Sequence, residues 1–302
     1  MTLLTVTSEQ AGERLDSFLT YSWDAAESRS QVQKTIQNGD VKVDGKLVTR
    51  SSTKVNEGQR VSITSAPSND QPMVATRDIP LDVVYEDDHI AVIDKPFGVA
   101  VHPGAGHVDD TLVNGAVKRW PHLADVGESD RPGIIHRLDK DTSGLMILGL
   151  SAYAHQRLLN MIKNREITRI YTAVVHGIPD KREGIVDAPI GRSEHNRLKQ
   201  AVKEDGRPSR THYRVDYELG DFAYLEIELE TGRMHQIRVH MEAIGHPVIG
   251  DQTYGQSRKI PGLNRQFLHA SRLEFAHPIS KKPILFTSEL PEDLQRILRT
   301  LN

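Results

Sequence analysis

The sequence predicts an α+β protein in two parts, a small α/β module followed by a larger domain in which strands outnumber helices. Three observations predict this. Residues 13–64 combine helical apolar spacing with a hairpin signal; residues 65–79 are polar, carry two prolines and lack periodicity; and short strand patterns dominate the remainder, with too few strand–helix–strand alternations for a doubly wound sheet. A chain of 302 residues has room for two such domains.

In the first module, Leu15, Phe18 and Leu19 fall on one helical face. Residues 30–36 supply a second helix that Asn38-Gly39 can cap. Strands follow at Val41–Val43, through Val55, and at Val61–Ile63, with a hairpin turn at Asp44-Gly45. After the proline-bearing linker, strands are expected at 81–85, 90–93, 145–150, 170–175, 211–217 and 222–230. Residues 97–109 read as a loop, and helices are expected at 112–120, 151–164, 234–244 and 291–300.

Composition excludes several function classes. Cysteine is absent, which removes disulfides, thiolate zinc sites and thiol nucleophiles, and fits a reducing, cytoplasmic setting. The N-terminus has no basic region ahead of an apolar stretch, so no signal peptide is expected. The longest aliphatic run, near 144–150, is far short of the roughly 20 residues of a membrane helix, so a soluble protein with no membrane partner is expected. The net charge of −3 hides two basic stretches: residues 29–60 and residues 192–214 each hold seven Lys/Arg against three acids. Phosphate binding follows such local patches rather than the whole-chain total, although a solvated face has the same composition.

The residues that carry chemistry gather in two segments. Asp139 lies in His136-Arg137-Leu138-Asp139-Lys140-Asp141-Thr142-Ser143-Gly144, just before the apolar run Leu145–Leu150. That is the pattern of a charged group presented at the end of a buried strand. Asp139 is either a nucleophile or a turn residue that hydrogen-bonds its own backbone. The Asp139-x-Asp141 pair resembles that of aspartyl phosphatases, but there a strong apolar strand precedes the motif, and here it follows. Two carboxylates at i,i+2 also cannot flank a sugar as a glycosidase pair does. The second segment, Glu230-Thr-Gly-Arg233-Met-His-Gln-Ile-Arg238-Val-His240-Met241, follows an alternating strand and opens a helix whose apolar face holds Met234, Ile237, Met241 and Ile244. Arg233 then stands at the strand-to-helix junction, where it can pair with a carboxylate or a phosphate. Arg238 reads equally as a structural ion-pair residue. His235 and His240 are five apart, which is not the i,i+4 spacing of a helical metal pair.

These segments resemble the RluA-type pseudouridine synthases. Residues 136–144 are similar to their H-R-L-D-x-x-T-S-G motif. Lys95-Pro96-Phe97-Gly98 with His102-Pro103-Gly104, the strand holding Tyr171, Thr231-Gly-Arg233-Met-His-Gln-Ile-Arg238, and Leu268-His269-Ala270 with His277-Pro278 match four further segments in order. Arg14-Leu15-Asp16, Ser28–Val32 and Gly39–Lys46 look like an S4 RNA-binding module, which points to the RluD-like branch acting on large-subunit ribosomal RNA. The resemblance implies an S4-like domain over 1–66, a linker over 67–80, and a catalytic domain over 81–302 with a mixed, mainly antiparallel sheet flanked by helices.

It also implies roles. Asp139 is the nucleophile, paired with Arg233; Tyr171 lies against the uracil and can assist deprotonation at C5; Arg137 fills the gap left by a flipped uridine, His136 contributes to substrate binding, and Ile237 and Leu268 form the apolar walls. Arg14, Arg29, Ser30, Lys34 and Lys42 contact RNA through the S4 module. No cofactor and no metal is implied, because the product keeps every atom of the substrate. The expected partner is large-subunit ribosomal RNA or an assembling large subunit, and the protein is expected to be monomeric. Two departures touch substrate positioning: Arg169 stands where the family has lysine, and Met234 where it has threonine. The competing reading is a non-catalytic RNA-binding or ribosome-assembly factor on the same scaffold, which has no need of a carboxylate facing RNA phosphate.

Overall fold

The structure, a computed structural model, describes residues 2–23, 26, 29–64, 79, 81–103, 109–128, 130–194, 196, 199–255 and 259–301. The chain divides into two compact units. The linker expected at 67–80 lies outside the described residues apart from Ile79.

The first unit contains β1 (Thr2–Thr5), α1 (Leu15–Ser22), α2 (Arg29–Gln37), β2 (Val41–Val43), β3 (Lys46–Leu47) and β4 (Arg60–Ile63). Its four strands form an antiparallel sheet in the order β1-β4-β2-β3. Leu15, Phe18 and Leu19 of α1 meet Val32 and Ile36 of α2 in a core completed by Val41, Val61 and Ile63, as the periodicity of both helices requires. Asp44 and Gly45 both adopt positive φ (50° and 77°), the backbone of the two-residue turn that joins β2 to β3. Val55 corrects an expectation. It is fully buried, yet near it only a single bridge, Arg14 to Lys54, forms, so its apolar neighbours mark a core-filling loop rather than a strand. Asp16 is buried, with its carboxylate bound by Arg14 Nε and Nη2 (2.9 Å each), by the Ser17 amide (3.0 Å) and by Gln33 Nε2 (2.6 Å).

The second unit contains β5 (Asp82–Glu86), β6 (Ile90–Lys95), α3 (Leu112–Arg119), β7 (Ser143–Gly149), α4 (Ala152–Lys163), β8 (Ile167–His176), β9 (Glu183–Asp187), β10 (Ile190–Arg192), β11 (Gln200–Val202), β12 (Arg210–Leu219), β13 (Phe222–Leu229), α5 (Gln236–Ala243), β14 (Leu268–Ala276), β15 (Pro283–Thr287) and α6 (Glu292–Leu301). Nine strands make one sheet in the order β5-β6-β7-β14-β8-β13-β12-β9, with β15 also on β14. The sheet is mixed and mainly antiparallel, and β14 runs parallel to β7. On one face α4 lays Ala154, Leu158 and Met161 against Ile90, Val92, Leu145 and Ile147. Every residue of β7 is buried, which is why the segment reads as a continuous apolar run rather than an alternating one.

The path into β7 needs glycine. Gly144 has φ of +113°, and a Cβ there would overlap the backbone N and O of Ala270 on β14. Gly144→Ala is therefore expected to destabilise the protein by about 3 kcal/mol, through both backbone strain and overpacking. An unchanged midpoint of denaturation would show that β7 and β14 can separate without cost.

Candidate active site

Asp139 sits in the loop just before β7, where the Thr142 amide donates to the Asp139 carbonyl (3.1 Å) and closes a turn. The loop is fastened from behind by two side chains. Lys95 is fully buried and its Nζ donates to the carbonyls of Pro96 (2.7 Å), Val99 (2.9 Å) and Lys140 (3.0 Å). Burial pulls its pKa down to about 7, against the opposing influence of the Asp141 and Asp139 charges. Three carbonyls around one amine match the three donors of an ammonium, which favours the charged form. His136 is the second fastening. Its Nε2 accepts from the Ile147 amide (3.1 Å), so the ring is neutral with its proton on Nδ1, and burial lowers its pKa to about 3.

The Asp139 carboxylate opens into a cleft whose walls include Tyr171 from β8, Leu268 from β14, and Ile237 and Arg238 from α5. Its side chain is 16% exposed, and its Oδ2 accepts from Arg238 Nη1 at 2.8 Å. Arg238 is also held by Asp251, through Nε (2.6 Å) and Nη2 (2.9 Å). Burial opposes the charge on Arg238, but its hydrogen bonds to Asp251 and Asp139 outweigh burial and raise its pKa. For Asp251 the balance is the mirror image: burial pushes the carboxyl up, and the Arg238 contacts more than reverse this. His235 Nε2 lies 4.0 Å from Asp139 Oδ2. Tyr171 is almost wholly buried and its pKa is raised, chiefly by burial and further by Asp139. Its phenol thus keeps its proton, which suits a packing surface better than a base.

The partner of Asp139 is Arg238, and the expected Arg233 pair does not form. The helix begins at Gln236 rather than near residue 234, and His235 ahead of it takes a left-handed conformation (φ 58°). Arg233 lies before that reversal, with Nε donating to the Pro208 carbonyl (3.3 Å), although its side chain still lines the cleft. Arg238, in the first turn of α5, points back along the helix toward its N-terminus, as helical side chains do. Met234 does not leave the helix start open. Gln236 Oε1 accepts from the Arg233 amide (3.0 Å) and the Thr231 hydroxyl (2.8 Å), while its Nε2 donates to the Arg210 carbonyl and Thr211 Oγ1 (3.0 Å each). Arg169 is buried and donates to the Leu229 carbonyl (3.2 Å), tying β8 to the end of β13.

Of the other expected site residues, Arg137, Ile237 and Leu268 line the cleft, whereas His136 faces β7 and is absent from the cleft wall. In the S4-like unit, Lys42 is exposed on β2, and Arg14 is partly exposed while gripping Asp16. Arg29, Ser30 and Lys34 belong to α2, but their side chains lie outside the described residues. Three cations of the 192–214 basic stretch are paired: Lys203 with Glu194 and Asp205, Arg210 with Asp187 and Glu230, and Arg214 with Asp216 and Glu226. A roomier surface groove between β9 and β12 is lined by Arg182, Glu183, Arg214 and Asp216, charges of both signs, and holds none of the groups around Asp139.

The second unit thus presents a carboxylate, held by a buried cation, in a cleft walled by a phenol ring and aliphatic side chains. The chain matches the RNA pseudouridylate synthase family over residues 89–243 and the S4 domain over residues 13–61. It is 42% identical over 298 residues to an uncharacterized RNA pseudouridine synthase of Bacillus subtilis, covering 99% of this chain and 97% of that protein. It is 43% identical over 308 residues to ribosomal large subunit pseudouridine synthase D of Xanthomonas campestris, covering 98% of this chain and 91% of that protein. Among solved structures, human RNA pseudouridylate synthase domain containing 1 aligns with a TM-score of 0.55 at 25% identity, over 74% of this chain and 94% of that one. The chain belongs to the RNA pseudouridylate synthase family, whose members are isomerases, and carries an S4 domain ahead of the synthase domain.

Proposed function

We propose that this enzyme converts particular uridines of large-subunit ribosomal RNA to pseudouridine, with Asp139 as its nucleophile. The observation that supports the role of Asp139 is its placement: a carboxylate held by Arg238 at the mouth of a cleft walled by Tyr171, Ile237 and Leu268. The reaction breaks the N1–C1′ bond, turns the uracil, forms a C5–C1′ bond, removes the C5 proton and protonates N1. Every heavy atom is retained. The ring of Tyr171 and the side chain of Leu268 hold the freed base, and Arg137 occupies its place in the RNA stack. Support for the large subunit comes from the Xanthomonas relative, whose name states that substrate and whose similarity spans nearly both chains.

The test is to incubate large-subunit, small-subunit and transfer RNA transcripts with the enzyme and map pseudouridine. Modification confined to transfer RNA would overturn the substrate assignment. In this reading the S4 domain docks structured RNA through phosphate contacts from residues such as Lys42 and Arg14. Lys42→Ala should then weaken RNA binding and reduce the slope of log affinity against log salt by about one. An unchanged slope would remove Lys42 from the docking surface.

A further inference from the structure

Two groups that face the Asp139 carboxylate, Arg238 and His235, are held by one short turn, Asp251–Tyr254. Asp251 is fully buried, and its Oδ1 accepts the amides of Thr253 (2.8 Å) and Tyr254 (3.0 Å), which shapes the turn. The same carboxylate takes the Nε and Nη2 edge of Arg238. The ring of Tyr254 lies under that guanidinium, 5.1 Å from its centre. The Tyr254 hydroxyl accepts from the Gln200 amide (2.7 Å) and lies 2.9 Å from His235 Nδ1. When the hydroxyl donates to Nδ1, the imidazole proton sits on Nε2, the nitrogen facing Asp139.

A guanidinium is a fork that engages both oxygens of a carboxylate when its edge is free. Here the edge beside Nε is taken, and Asp139 receives one hydrogen bond, at Oδ2. The Arg238 bond leaves Oδ1 uncovered by this cation. We propose that Asp251 is a positioning residue: by holding the Nε–Nη2 edge of Arg238 it fixes the angle at which that cation meets Asp139, so that Nη1 makes a one-point contact at Oδ2 and leaves Oδ1 open to the substrate. This rests on Asp139 being the reacting carboxylate.

Asp251→Asn separates the clamp from the turn. The side-chain oxygen can still accept the Thr253 and Tyr254 amides, but its NH2 group opposes Arg238 Nε, donor against donor. Arg238 is then free to fork onto both oxygens of Asp139. The expected result is a fall in kcat on the order of 10²-fold, with RNA affinity close to wild type and a melting midpoint lowered by the loss of one charged partner of the buried Arg238. Asp251→Glu, which keeps an anionic acceptor for the fork, should recover most of the rate. On an Arg238→Lys background, which has no fork to restrain, Asp251→Asn should cost far less. An unchanged kcat in Asp251→Asn, an equal cost on the lysine background, or a loss shared in proportion by RNA affinity would each overturn the proposal. Were Asp251→Asn unable to fold, a folded Asp251→Glu as slow as Asp139→Asn would overturn it instead. If Asp139→Asn itself kept its rate, the failure would belong to the underlying role of Asp139 rather than to Asp251.

Discussion

Asp139→Asn is expected to abolish pseudouridine formation, a loss on the order of 10³-fold or more, while RNA affinity and the melting midpoint stay near those of the parent enzyme. The substitution is isosteric, and the amide oxygen can still accept from Arg238 Nη1, so the loop keeps its shape. Lys95 and His136 continue to fasten it through backbone groups that the change does not touch. The charge balance improves, if anything. Arg238 now faces two carboxylates, and in the variant it faces Asp251 alone. What disappears is the only property a nucleophile requires, since an amide does not attack carbon under these conditions. Mapping pseudouridine after long incubation with equal amounts of each protein gives the measurement. Equal modification by the variant would remove Asp139 from the chemistry, and a binding-only protein would yield none from either.

Much of this was legible in the sequence, and the parts that were not share a physical cause. The apolar run after Asp139 gives β7 because both its faces are buried, and Asp44-Gly45 gives the β2–β3 turn because both residues tolerate positive φ. The helices α1, α2, α4 and α6 follow from ordinary amphipathic spacing. By contrast, β14 lies between β7 and β8 in the sheet, yet was expected only as a short motif. Its register shifts between Ala270 and Arg272, and a bulge breaks the alternation by which a strand is recognised. The site is divided in the same way. Asp139, Tyr171, Ile237 and Leu268 converge as the ordered motifs implied. Asp251 and Tyr254 gave no usable signal, because their roles arise from a turn distant in sequence that packs on α5. The choice between Arg233 and Arg238 depended on where the helix starts, and boundaries shift by residues when a left-handed residue such as His235 precedes the first turn.

That choice yields a clear contrast. Arg238→Ala is expected to lower kcat on the order of 10²-fold or more and to destabilise the fold by about 3–5 kcal/mol. Arg233→Ala is expected to lower turnover by about tenfold at most and to leave stability within roughly 0.5 kcal/mol of the parent. The difference follows from what each guanidinium leaves behind. Without Arg238, the fully buried Asp251 keeps its charge and loses its cation, a situation that is costly in a protein interior. Asp139 loses its direction at the same time, because its bond from Nη1 is gone. Without Arg233, the lost bond is one from Nε to the Pro208 carbonyl at 3.3 Å in a partly exposed position. Gln236 still closes the helix start through the backbone amide of residue 233, which alanine retains. Single-turnover rates on an RNA transcript together with denaturant melts separate the two effects. A rate loss in Arg233→Ala equal to that in Arg238→Ala, without a loss of stability, would mean that Arg233 turns into the cleft when RNA binds and acts on the reacting nucleotide there.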